Sequence, residues 1–174
     1  ANLVRRDLWN VIDLRLPCSP SERHRRNFKK ATKIGLLVDI LEPKYYPDFH
    51  HTLSEALMDR HGVQPTHSLS ELANLQRRFP VDIEMWGCRT LQGSLVAGVW
   101  LFKFHERCWH TQYIAANAEG RAVFATDFLL ESLIALAQRS GVTYFSFGAS
   151  TEAGGKQLNS GLFSFKAGFG DGAV

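Results

Sequence analysis

Three cysteines in 174 residues, Cys18, Cys88 and Cys108, are too few and too far apart to staple a fold. Their number is odd and none stands in C-x-x-C spacing, which argues against a disulfide framework or a zinc site and suits a reducing cytoplasm. Metal-ligand patterns are missing too. His50, His51, His61 and His67 are scattered without an H-E-x-x-H run or a cysteine partner, and no metal is expected. No apolar run approaches the about 20 residues that span a bilayer, and no basic-then-apolar leader opens the chain. An excess of one charge is lacking: the net charge of +3 demands no nucleic-acid partner, although a local patch can still recruit one. There is no G-x-S-x-G nucleophile elbow, and Ser160 has no base evident in sequence. A G-x-x-x-x-G-K-[ST] phosphate loop would need glycine at Ser150 and serine or threonine at Gln157; both fail.

What is present is an ordinary globular composition, 45% hydrophobic, 11% aromatic and 21% charged. The chain is long enough to bury a core as one domain. It starts at Ala1 without a methionine and stops at Gly172-Ala173-Val174, directly after a helix-like segment, so it is expected to be a piece of a longer protein.

Periodicity divides the chain cleanly. Leu8 to Leu16 alternates as a strand. Ser19-Pro20-Ser21-Glu22 reads as a capping box with proline at the first helical position, opening a basic helix to about Thr32 that Gly35 stops. Leu36 to Leu41 reads as a short buried strand. A helix from Pro47 to about His61 places Phe49, Leu53, Ala56 and Leu57 on one face. A second capping box, Ser68-x-x-Glu71, opens a helix that stops before Pro80. Val81 to Cys88, Leu95 to Phe104 and Cys108 to Ala116 then form a meander, turning at Gln92-Gly93-Ser94 and His105-Glu106-Arg107. The loop Asn117 to Ala122 leads into a long helix from about Val123 to Ser140, with Asp127, Glu131 and Gln138 on its polar stripe. Thr143 to Gly148 is a strand, Ser150 to Gln157 a flexible loop and Leu158 to Ala167 a last helix. From Leu36 the order is β-α-α-β-β-β-α-β-α.

Several stretches can carry chemistry. The Asn117–Ala122 loop opens a helix, whose unpaired N–H groups and positive dipole end attract phosphate, and Gly120 would allow close approach; a plain connection is the other reading. His110 and Gln112 alternate along one strand and share a face. His110, with an ordinary pKa near about 6.5, can act as a base or simply hold a neighbour by a hydrogen bond. Asp127 reads as a solvated acid at a helix start. Ser150, Thr151, Lys156 and Asn159 crowd one glycine-containing loop that could hold a sugar or nucleotide. Arg23, Arg25, Arg26, Lys29, Lys30 and Lys33 form the one dense basic run, either a solvated helix face or a contact for the phosphates of a nucleotide-linked substrate or tRNA.

Asn117 to Ala122 reads N-x-x-G-x-A. It resembles the Q/R-x-x-G-x-G/A loop of GNAT-type acyltransferases, which holds the pyrophosphate of coenzyme A; here Asn stands for Gln or Arg. Arg26-Asn27-x-x-Lys30-Ala31-x-Lys33-x-Gly35 near the start resembles the FemAB-like branch of that superfamily, whose proteins pair two GNAT-like halves. So do Tyr144 to Gly148, Ser150-Thr151, Leu158-Asn159-Ser160-Gly161-Leu162 and Phe165-Lys166-x-x-Phe169-Gly170 near the end.

The resemblance implies an α/β (α+β) domain with a GNAT-like mixed, largely antiparallel sheet flanked by helices. It implies residues 1–35 as the end of a preceding half, itself absent, and 36–174 as the GNAT-like domain, shortened at its C-terminus. It also implies N-acyl transfer from an acyl-CoA to a small or sugar-linked amine, without a covalent enzyme intermediate, in envelope or polysaccharide assembly. Lys166 would stabilise the oxyanion, unless it merely snorkels from the last helix. His110 would take the proton, and Asn117, Glu119, Gly120, Arg121 and Ala122 would hold the cofactor. Gln112, Ser150, Thr151, Lys156 and Asn159 would meet the acceptor. Aminoacyl-tRNA as donor, bound through the basic helix at 23–33, and a catalytically silent binding module remain the competing readings.

Overall fold

The computed structural model describes residues 5–17, 19–104 and 107–170. Cys18, His105, Glu106 and the side chain of His61 lie outside the described set. The elements are β1 (Trp9–Asp13), α1 (Glu22–Ile34), β2 (Leu37–Ile40), α2 (Tyr46–His61), α3 (Leu69–Arg78), β3 (Ile83–Arg89), β4 (Leu95–Phe104) and β5 (Cys108–Ala116). They continue with α4 (Ala118–Ala122), α5 (Ala125–Arg139), β6 (Tyr144–Ala149), β7 (Thr151–Glu152), β8 (Gln157–Leu158) and α6 (Ser160–Ala167).

Six strands form one sheet in the order β1-β6-β5-β4-β3-β2. β3, β4 and β5 are the expected antiparallel meander, with Met85 opposite Trp100 and Trp100 opposite Tyr113. The chain then crosses over through α5, and β6 joins β5 in parallel. β1 pairs antiparallel with β6, and α1 packs against α5. β1 and α1 are therefore part of the same sheet and the same helical layer as the rest of the domain.

Each face of the sheet has its own core. On one, Phe49 and Leu53 of α2 and Leu72 of α3 meet Met85, Trp100 and Ala115. The paired glycines Gly87 and Gly98 make this possible: a Cβ on Gly98 would stand 2.5 Å from the Phe49 ring. On the other, Leu129, Leu130, Leu133 and Ala137 of α5 meet Val99, Leu101, Phe145 and Phe147.

Local chemistry shifts some boundaries. The cap of α1 is Ser21, which accepts from the His24 N–H, so the Ser19-Pro20-Ser21-Glu22 box does not form and Pro20 precedes the helix. The box at Ser68 and Glu71 does form. β2 is an edge strand with Leu37 and Ile40 exposed, because it pairs with β3 alone; only the flanking Leu36 and Leu41 are buried. The segment read as a loop at Asn117–Ala122 is the single turn α4, and Phe124 in the left-handed region (φ 59°) separates it from α5. The Ser150–Gln157 loop folds into the β7–β8 hairpin.

Asp127 is not solvated. It is buried against α1, its Oδ1 2.6 Å from His24 Nδ1 and accepting from Asn27 Nδ2 at 3.0 Å. One turn on, Glu131 is half-buried rather than on a polar stripe, and burial pushes its carboxyl up to about 7.

Candidate active site

β5 and β6 pair over only three residues, and the ladder ends at His110 opposite Ser146. Just beyond, Gly148 adopts φ 72°, and a Cβ there would stand 3.0 Å from His110 Cε1. Glycine is thus required twice, for the left-handed backbone and for room beside the imidazole. His110 Nδ1 lies 3.2 Å from Ser146 Oγ, which also accepts from the Gly148 N–H.

Lys166 reaches the same place from the opposite layer. α6 is capped by Asn159, whose Oδ1 accepts from the Leu162 N–H at 2.9 Å. The helix is fixed laterally by His24, which stacks on Phe169 with ring centroids 4.0 Å apart and whose Nε2 lies 3.1 Å from the Phe165 carbonyl. The Lys166 side chain is buried, at 6% exposure. Its ammonium donates to the Ala149 and Gly148 carbonyls at 2.6 and 3.3 Å. An ammonium has three donors, so one remains for another acceptor.

Both groups are shifted in a useful direction. Burial pushes Lys166 down to about 8, which leaves it mainly charged at neutral pH. His110 is lowered by burial first and by the Lys166 charge second, against a hydrogen bond to Gln112 that raises it. A neutral imidazole beside a buried ammonium can accept a proton while the cation stabilises negative charge. Trp9 and Phe104 flank His110, with ring centroids 5.6 and 6.2 Å away, and are 41% and 57% exposed.

No protein-family model matches the sequence, and no curated protein matches it. Among solved structures, FemX, a GNAT-fold protein of the FemABX family, superposes with a TM-score of 0.79 at 14% identity, covering 98% of this chain and 60% of FemX. The chain has a GNAT-like, FemAB-like fold. L-PGS from Bacillus licheniformis matches with a TM-score of 0.67 at 14% identity, over 94% of this chain and 56% of L-PGS. An acetyltransferase of the GNAT family from Staphylococcus aureus Mu50 matches with a TM-score of 0.50 at 9% identity, over 60% of this chain and 68% of that one. The chain thus spans less than two thirds of FemX and of L-PGS.

Within this FemAB-like fold, the sequence-predicted residues fall into three groups. His110, Gln112 and Lys166 come together at Gly148. Ser150, Thr151 and Asn159 instead tie the chain to itself: Ser150 Oγ donates to Asn10 Oδ1, Thr151 Oγ1 to Asp7 Oδ1, and Asn159 Nδ2 to Glu152 Oε1. Lys156 stands exposed on the hairpin.

The third group is α4. Asn117 Oδ1 accepts from the Gly120 N–H and its Nδ2 donates to the Leu95 carbonyl; Arg121 donates to the Ala116 carbonyl. A Cβ on Gly120 would collide with the Val96 carbonyl oxygen, so strand packing alone demands this glycine. Glu119, Arg121 and Ala122 are exposed.

Trp9, Phe104, Ser146 and Gly148 were given no site role from sequence, because it is the pairing of β1 with β6 and of β5 with β6 and β4 that brings them to His110. The one local signal was the glycine closing TYFSFG, in a place where a strand disfavours glycine. Among the described residues, no three His, Cys, Asp or Glu side chains converge as a metal site would.

Proposed function

We propose that this domain transfers an acyl group to an amine at the His110–Lys166 site. The observation that carries the reading is the juxtaposition of a buried, charge-bearing Lys166 and a base-ready His110 across Gly148. The amine nitrogen attacks the acyl carbonyl carbon, forming the C–N bond, and the carbonyl electrons move onto oxygen. The remaining Lys166 donor stabilises that oxyanion. His110 takes the proton released by the amine, directly or through a water. The intermediate then collapses, the bond to the leaving group breaks, and the proton passes to the departing thiolate or alkoxide.

The donor in the first reading is an acyl-CoA, with its pyrophosphate against the exposed side of α4 at Glu119, Arg121 and Ala122. Trp9 and Phe104 suit the apolar face of a ring, so a sugar-linked amine is the favoured acceptor, met also by Gln112 and Lys156. In the second reading the donor is an aminoacyl ester such as aminoacyl-tRNA. What supports it is that FemX and L-PGS superpose over nearly the whole chain, whereas the GNAT acetyltransferase covers 60% of it. In either reading, β1 and α1, although packed into this domain, continue from a preceding GNAT-like half.

Thermal denaturation with coenzyme A, an acyl-CoA series and aminoacyl-tRNA tests the donor. A ligand at a hundredfold its Kd stabilises by about 2.7 kcal/mol, which is a rise of several degrees. A shift with acyl-CoA supports the first reading and one with aminoacyl-tRNA alone the second; no shift with any of them counts against both.

A further inference from the structure

The outer face of α1 and the turn after it form a surface apart from the His110–Lys166 site. Arg23, Arg25, Arg26, Lys29, Lys30 and Lys33 are all exposed, while His24, Asn27, Phe28 and Ala31 face inward. Glu22 is the one acid on the helix. No salt bridge among the described residues engages any of the six cations. Their spacing aligns Arg25, Lys29 and Lys33 in one row and Arg26 and Lys30 in the next, and Ile34 continues the second row.

Where the helix ends, the surface changes character. Ile34, Leu37 and Leu91 are 47%, 43% and 66% exposed. Leu91, in the β3–β4 turn, lies with its Cδ1 3.4 Å from the position a Gly35 Cβ would take, so this turn abuts the helix end. Three aliphatic side chains thus stand in water beside a cationic face.

We infer that this face docks on the surface of an anionic lipid bilayer. The cations lie at headgroup level, and Ile34, Leu37 and Leu91 enter the apolar boundary beneath. A nucleic-acid backbone would match the cations but gives the aliphatic cluster nothing to bury in. The helix is pinned to the domain by the buried His24–Asp127 contact, so it binds as a fixed face rather than as a peptide that peels away. α1 packs on α5 on one side of the sheet, while His110, opposite Phe102, projects from the other. Docking therefore leaves the His110 opening toward solution.

Cosedimentation of the chain with phosphatidylcholine vesicles, with and without phosphatidylglycerol, tests this. The expected result is binding only to the phosphatidylglycerol vesicles, weakened by salt. Two sets of exposed substitutions keep the fold out of the question, with circular dichroism as the check. R25Q/K29Q/K33Q should lower vesicle affinity about a hundred-fold, at about five-fold per charge removed. I34S/L91S should lower it several-fold with every charge in place. Equal binding to both vesicle types, or none, overturns the proposal. So does a loss confined to the charge variant together with equal retention of a single-stranded RNA, which would make the face a general polyanion surface.

Discussion

Lys166 works against folding. Holding its pKa near 8 instead of 10.5 corresponds to about 3 kcal/mol disfavouring the buried ammonium. Between those two values the unfolded chain keeps a proton that the folded chain has released, so stability rises with pH over that window. Chemical denaturation between pH 7.5 and about 10 should show this rise, and Lys166→Met should abolish it while leaving Tm at neutral pH unchanged or higher. A marked loss of stability in Lys166→Met would mean that the side chain is retained for packing. His110 has the same sign at lower pH: its lowered pKa contributes stability above about 6.5 that is lost as pH falls. Together the two groups predict a bell-shaped kcat/KM, with the acid limb below about 6.5 from His110 and the alkaline limb near 8 from Lys166. A profile flat across this range would remove both residues from the chemistry.

At the scale of elements, α4 and the α1–α5 contact carry the clearest expectations. Gly120→Ala should destabilise by about 2 kcal/mol or more, because the clash is with a strand carbonyl that cannot yield; full stability in that variant would contradict the packing role. Asp127→Ala strips His24 and Asn27 of their shared acceptor in a buried setting and should cost about 3 kcal/mol, read by denaturant midpoint. It should also lower turnover, since His24 fixes Phe165 next to Lys166. The sequence revealed these elements unevenly. Alternation and capping chemistry made α2, α3 and the meander legible, because their signals are local. The burial of Asp127 was not, because it depends on His24 and Asn27, about a hundred residues earlier in the chain. Gly120 shows the same limit: a glycine at a strand-to-helix junction suggests phosphate, and only the position of Val96 gives it a second reason to be there.

At the scale of the molecule, the element order carried the fold class, and the F-K-x-x-F-G segment located Lys166, but neither could show that Lys166 and His110 meet. That meeting requires a crossover through α5, a parallel pair that stops after three residues, and a left-handed glycine. Each has a distinct physical cause: the helix must cover one face, the ladder must end where Gly148 turns, and the imidazole must have space. Ser150, Thr151 and Asn159 looked equally polar in sequence, and the structure uses them to fasten β1, the hairpin and α6. The most direct test measures labelled acyl transfer from acyl-CoA and from aminoacyl-tRNA to an amine acceptor, in the wild type and in Lys166→Met. The expected result is transfer by the wild type and a fall of about a hundred- to a thousand-fold in the variant with its Tm intact. Wild-type turnover in Lys166→Met, or no transfer from either donor, would contradict the assignment of this site.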